Sequence, residues 1–239
     1  VERLHPELNS FIYGIEGFSM NYVMQLKEGG SFGDIYGCKF VRDEEGKIQT
    51  DSNGVPIPVN QKNTEKVGNC NPDYLLGWGN TLTYKGFSLY FLIDSRVGGD
   101  VLSITQAELY YRGVSKASGD ARNRGYVEVH GQKFENVSGF YKLVGSQSNC
   151  VTEYYMYSAT NIRLRELAIS YSIPRPLVEK MKVFSSIDLS LIGRNLFFLH
   201  KDAPFDPDAV MSTENSCQGV DAFNTPSTRS IGFSAKFTF

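Results

Sequence analysis

The stretch that decides the fold is 230–239, SIGFSAKFTF. Ile231, Phe233, Ala235, Phe237 and Phe239 fall on one face of an extended chain, and Ser230, Gly232, Ser234, Lys236 and Thr238 on the other. Period-two alternation over ten residues predicts a strand. Termini usually fray in water, so a final strand this apolar needs something to bury against.

The same period recurs upstream. In 186–198, Ile187, Leu189 and Leu191 oppose Ser186, Asp188 and Ser190. In 166–173, Leu167, Ile169, Tyr171 and Ile173 share a face, and in 86–97 Phe87, Leu89, Phe91 and Ile93 do. Segments 73–84, 34–41 and 18–27 complete a set of about seven strands, most near the roughly 9–11 residues a tilted membrane strand needs. Their second face is small or polar. Connections between them alternate in length: short at 28–33, long at 42–72, short near Tyr84-Lys85-Gly86, long at 98–160, modest at 174–185, long at 199–229. Turns on one side and long loops on the other are the habit of outer-membrane barrels. A soluble sandwich alternates too, but has no reason to sort its loops.

Composition narrows the classes. Across 239 residues, 41% are hydrophobic, which excludes a disordered chain. A net charge near −2 implies no basic surface for nucleic acid. No apolar run approaches the roughly 18 residues of a membrane helix, which leaves membrane strands open. The first residues, VERLHPELNSF, do not have the form of a signal peptide. Cys38, Cys70, Cys150 and Cys217 lie far apart without a CxxC pair, so a metal site is not expected. Unpaired thiols or one loop disulfide, such as Cys150 with Cys217, remain open.

No catalytic motif stands out: His5, His130 and His200 lie in predicted loops or at strand ends, and no HExxH, GxSxG, Walker or GxGxxG pattern occurs. Asp206 and Asp208 in PFDPD are too few oxygens for calcium and read as turn formers. DSNG at 51–54 reads as a hairpin tip, and Thr105 with Glu108 as a capping box opening a short helix. On simple alternation Asn161, Arg163 and Arg165 share the face of Leu167–Ile173. They then meet lipid headgroups at the outer rim or form a solvated strand end. Trp78, Tyr74, Tyr84, Tyr171, Phe197 and Phe198 lie near strand ends, as interfacial belt or core aromatics. Tyr90, Asp94 and Arg96 are expected on the lumen side.

Several stretches carry a resemblance. ATNIRLRELAISYSIPRPLVEKM, LSLIGRNLFFLHKDAPFDPD and PSTRSIGFSAKFTF, with FGDIYGCKFVRDEEGKI, the block from VGNCNPDYLLGWG to DSRVGG, and TQAELYYRGVS, resemble SusC/RagA-type TonB-dependent outer-membrane transporters of Bacteroidetes. The resemblance covers essentially the whole chain. It implies an all-β fold: residues 1–239 as the C-terminal segment of a barrel of about 22 strands, with plug and first strands outside this sequence. It further implies an importer of oligosaccharides, or peptides, energised by TonB and partnered by a SusD-like surface lipoprotein over the long loops. No cofactor and no enzymatic activity are implied. Phe239 becomes the terminal aromatic by which the barrel assembly machinery recognises such chains. The competing expectation is a soluble β-rich carbohydrate-binding module, which the mean hydropathy of −0.27 allows; a glycosidase would need a converging carboxylate pair, and none stands out.

Overall fold

The computed structural model describes residues 10–12, 22–59, 65–146, 151–212, 214 and 217–239. The chain divides into two units: one of 1–71, 99–158 and 209–225, the other of 72–98, 159–208 and 226–239. Cys150 lies outside the described residues; Cys38 and Cys70 are buried and Cys217 half-buried.

In the second unit, five strands form one antiparallel sheet: β1 (Tyr74–Tyr84), β2 (Phe87–Val97), β3 (Asn161–Ser172), β4 (Ser186–Lys201) and β5 (Ser230–Thr238). Their spatial order is β5-β4-β3-β2-β1, so neighbours in sequence are neighbours in space. Lys85 and Gly86 join β1 to β2, with φ of 46° and 86°. Positive φ at both positions is what a type I′ turn demands, and it matches the right-handed twist of the strands.

One row across this sheet reads Leu82, Leu89, Ile169, Leu191, Phe233. The next row, on the opposite face, reads Thr83, Ser88, Ser170, Ser190, Ser234. Leu82, Ile169, Leu191 and Phe233 are 48–71% exposed. A water-soluble sheet would turn these side chains inward. This one is apolar outside and polar inside, the order that a hydrocarbon solvent requires.

The first unit is built the ordinary way. Tyr22, Ile35, Phe40, Phe140, Tyr155 and Val220 are among the side chains of a buried apolar cluster. Helix α1 (Ile104–Tyr111), α2 (Lys116–Arg124) and α3 (Val137–Val144) belong to it. In α3 the buried Val137, Phe140, Tyr141 and Val144 follow the helical period, and Asn136 caps its start through the Gly139 N–H. The cap of α1 is Ser103, whose Oγ accepts from the Gln106 N–H, rather than Thr105. The Thr105 hydroxyl instead accepts the Phe223 N–H at 2.7 Å.

Two strands expected in the barrel wall belong to this unit. Within the segments read as 18–27 and 34–41, the structure has strands Tyr22–Lys27 and Asp34–Gly37, in a sheet with Ser10–Ile12 and Glu65–Asn69; residues 18–21 lie outside the described set. Tyr22, Val23 and Met24 are all buried, as are all four residues of Asp34–Gly37. Both faces meet protein, so their alternation marks no lipid face.

DSNG does form a hairpin tip: the Asp51 carboxylate accepts the Asn53 and Val55 N–H groups, and Thr50 bridges Pro56. Asp43 repeats this eight residues earlier with Glu45 and Lys47. The repeat closes on itself: Val41 donates to Ile57, Ile57 to Gln49 and Gln49 to Val41, residues spaced by eight.

The sorting of connections holds in the five-stranded sheet. Every junction between the units falls next to the sheet end marked by Tyr74, Val97, Asn161 and Lys201. The opposite end carries the Lys85-Gly86 turn, the compact connection 173–185 with α4 (Arg175–Val178), and Phe239.

Candidate functional site

Period two does not run unbroken along β3. Leu167 pairs with Phe91 and Glu166 with Leu92, yet Leu164 pairs with Ile93. Arg165 is the extra residue of a bulge, and beyond it inward and outward positions exchange. Leu164 takes the apolar face, in a row with Trp78, Ile93 and Phe197. Arg163 and Asn161 move to the polar face. The expectation that Asn161, Arg163 and Arg165 share the face of Leu167–Ile173 is therefore overturned, and so is a headgroup role for these arginines. Strand β4 bulges alongside, with Asn195 at φ 49°.

The consequence is a buried charge network. Arg163, 1% exposed, places Nη2 at 2.6 Å from Asp206 Oδ1 and 3.3 Å from Asp208 Oδ2. Its Nη1 donates to Ser227 Oγ at 2.7 Å, and its guanidinium lies 4.1 Å from the Phe198 ring centroid. Ser227 gives both its hydroxyl and its N–H to Asp206 Oδ2. Burial pushes the Asp206 carboxyl up, but the Ser227 hydroxyl and N–H, Arg163 and the Asp208 N–H outweigh it and hold its pKa below the ordinary value. A lone buried guanidinium would be very costly; here it is paired and hydrogen-bonded. The PFDPD turn therefore does more than reverse the chain: it ties the loop after β4, and Ser227 ahead of β5, to β3.

Around this pair the polar face is charged. Arg165 reaches Asp94 at 2.5 Å and Asp208 at 3.5 Å, and Arg194 reaches Glu166 at 3.2 Å. Tyr90, Asp94 and Arg96 occupy this same polar face, as expected from the sequence. A cavity of about 360 Å³ opens beside the network, walled by Arg163, Phe197, Phe198, Lys201, Asp206 and Arg229 among others. Among the described residues no cluster of His, Cys, Asp and Glu is arranged to hold a metal.

Of the expected belt aromatics, Tyr74, Trp78, Tyr84, Tyr171 and Phe197 lie on the apolar face near its two ends. Phe198 lies on the polar face under Arg163. Phe239 lies at the turn end, its ring 5.1 Å from Phe184, which also packs 5.4 Å from Phe237. Sequence reading missed the Arg163–Asp206–Ser227 network. Its signal was present in NIRLRELAISY: apolar residues fall on even numbers at Ile162 and Leu164, then on odd numbers from Leu167.

No family model matches the chain. It is 23% identical over 237 residues to TonB-dependent receptor P3 of Formosa agariphila, covering 89% of this chain and 23% of that protein. It is 24% identical over 196 residues to TonB-dependent receptor P26 of the same organism, covering 79% and 19%. The fold matches the RagAB peptide importer in its closed-closed state, with TM-score 0.62, 15% identity, and 99% of this chain against 25% of that one. Its open-open state gives TM-score 0.56 at 14% identity, again over 99% and 25%. The chain thus spans about a quarter of the length of these relatives. They are receptors and transporters rather than enzymes. An inside-out sheet, loops sorted to one end and these likenesses give the chain the fold of a SusC/RagA-type barrel segment, similar to that of TonB-dependent outer-membrane receptors.

Proposed function

We propose that this chain forms part of the wall of an outer-membrane importer that takes up oligosaccharides, or peptides, with energy from TonB and a SusD-like surface lipoprotein as partner. The observation that carries the reading is the five-stranded sheet with an exposed apolar face, a polar opposite face and all its long connections at one end. The soluble carbohydrate-binding module is disfavoured by the same sheet. That module would need a core between its sheets, whereas Leu82, Ile169, Leu191 and Phe233 of this sheet are exposed.

In this reading Phe239 is the signal that the barrel assembly machinery reads, and its exposure of 80% leaves it open to such a partner. The test uses the full-length receptor in a host with and without a functional TonB system. Uptake of a labelled glycan pool should collapse without TonB, and uptake independent of TonB would sink the proposal. Deleting Phe239 should lower the amount of receptor in the outer membrane; unchanged assembly would count against its role.

A further inference from the structure

The cations around the network are not all alike. Arg163, Arg165 and Arg194 each have a carboxylate within 3.5 Å. Lys201 and Arg229 have no carboxylate partner among the described residues. Lys201 donates to the Phe205 carbonyl oxygen at 3.3 Å and leans on the Phe198 ring; Arg229 is exposed. Both cations line the cavity of about 360 Å³ beside Arg163. The one carboxylate in its wall, Asp206, is already taken up by Arg163 and Ser227. In addition, Arg163 Nε is buried without a hydrogen-bond partner among the described residues. The walls therefore carry more positive charge than they neutralise, with donors unsatisfied.

Position selects the occupant. Lys201 and Arg163 stand on the polar side, in line with Asp94 and Arg96, opposite the apolar band that meets lipid. A bilayer headgroup would have to come from the wrong face. Phe198, half-buried on this same polar side, adds an aromatic wall on β4 beyond its last pair with β5 at Arg194. Two cations beside an aromatic wall suit a ring that carries its own carboxylate: charge-assisted hydrogen bonds hold the anion, and the ring packs on the phenyl group. An acidic peptide side chain would use only the cations.

We propose that this cavity binds a uronate unit of an acidic oligosaccharide cargo. The proposal rests on the importer reading above and narrows its substrate class.

The test uses the full-length receptor, immobilised in detergent, and partial hydrolysates of pectin and alginate. A matched pool has its carboxyl groups reduced to alcohols. Wild type should retain acidic oligosaccharides about tenfold better than their reduced counterparts, the loss expected when a charge-assisted contact is removed. The K201Q/R229Q variant alters only surface side chains and should retain both pools alike. Equal retention by wild type, or an undiminished acidic preference in the variant, would overturn the proposal. So would an Asp/Glu-rich peptide that binds through the same two cations while the uronates do not. TonB-dependent uptake is measured in parallel: uptake that needs TonB without a charge preference removes this inference alone, and uptake that does not need TonB removes the importer reading.

Discussion

Arg163 shows what one residue does to this architecture. Its guanidinium is buried with Asp206, and Ser227 completes the hydrogen bonding. Removing one member leaves the other charge buried without its partner, at a cost of about 3–5 kcal/mol. We expect Arg163→Met to lower the melting temperature of the detergent-solubilised receptor markedly, and Arg163→Met with Asp206→Leu to recover part of the loss. Single variants that melt like wild type would contradict a structural role. The pH dependence has a fixed sign. The folded-state pKa of Asp206 lies below its ordinary value. Its contribution is complete above the unfolded value of about 3.9 and is lost as pH falls through the folded one. Asp206→Asn should flatten the acid limb of the melting curve, whereas the wild type should lose stability below about pH 4. The residues of this network sit 21 to 64 positions apart in sequence. No local spacing could announce such a pairing, which is why PFDPD read as a turn and nothing more.

At the scale of elements, the strands of the sheet were legible because one property, alternation, survives in any solvent. What alternation could not separate was lipid from protein: Tyr22–Lys27 and Asp34–Gly37 alternate as β5 does, yet both of their faces are covered. Nor could the eight-residue repeat around Asp43 and Asp51 be seen from one DSNG tip, because the ring it closes is made of backbone hydrogen bonds. The face assignment is testable within β3. Ile169 belongs to the exposed apolar row and Ala168 to the polar side. Ile169→Arg should cost about 2–4 kcal/mol near the midplane and reduce outer-membrane yield. Ala168→Arg should be tolerated far better, and equal tolerance of the two would reverse or abolish the assignment. The bulge has its own test. Deleting Arg165 removes the extra residue, so β3 alternates unbroken with Arg163 and Asn161 still on the polar face. That deletion should therefore assemble nearly as much receptor as Arg165→Ala, which keeps the residue count. A deletion that assembles far less would mean that Arg165 is not the extra residue of the bulge.

At the scale of the molecule, the sheet ends on open strands. Within the described residues β1 pairs only with β2, and β5 only with β4, so each presents an unpaired row of backbone groups. In water such edges are tolerable or guarded; in hydrocarbon each unsatisfied group costs several kcal/mol. Closure through further strands removes the rows altogether, which is why membrane sheets are barrels. The two units therefore differ in what they need. The loop unit has its own buried cluster, from Tyr22 to Val220. The sheet has almost no core and depends on lipid for one face and on further strands for its edges. Expressed alone, these 239 residues should fail to give a heat-modifiable membrane band and should collect as aggregate. The full-length receptor should give such a band, unfolded at high temperature and compact at low. A monomeric, detergent-soluble and heat-modifiable form of the isolated chain would show that the edges find partners within it, and the open-wall description would have to be abandoned.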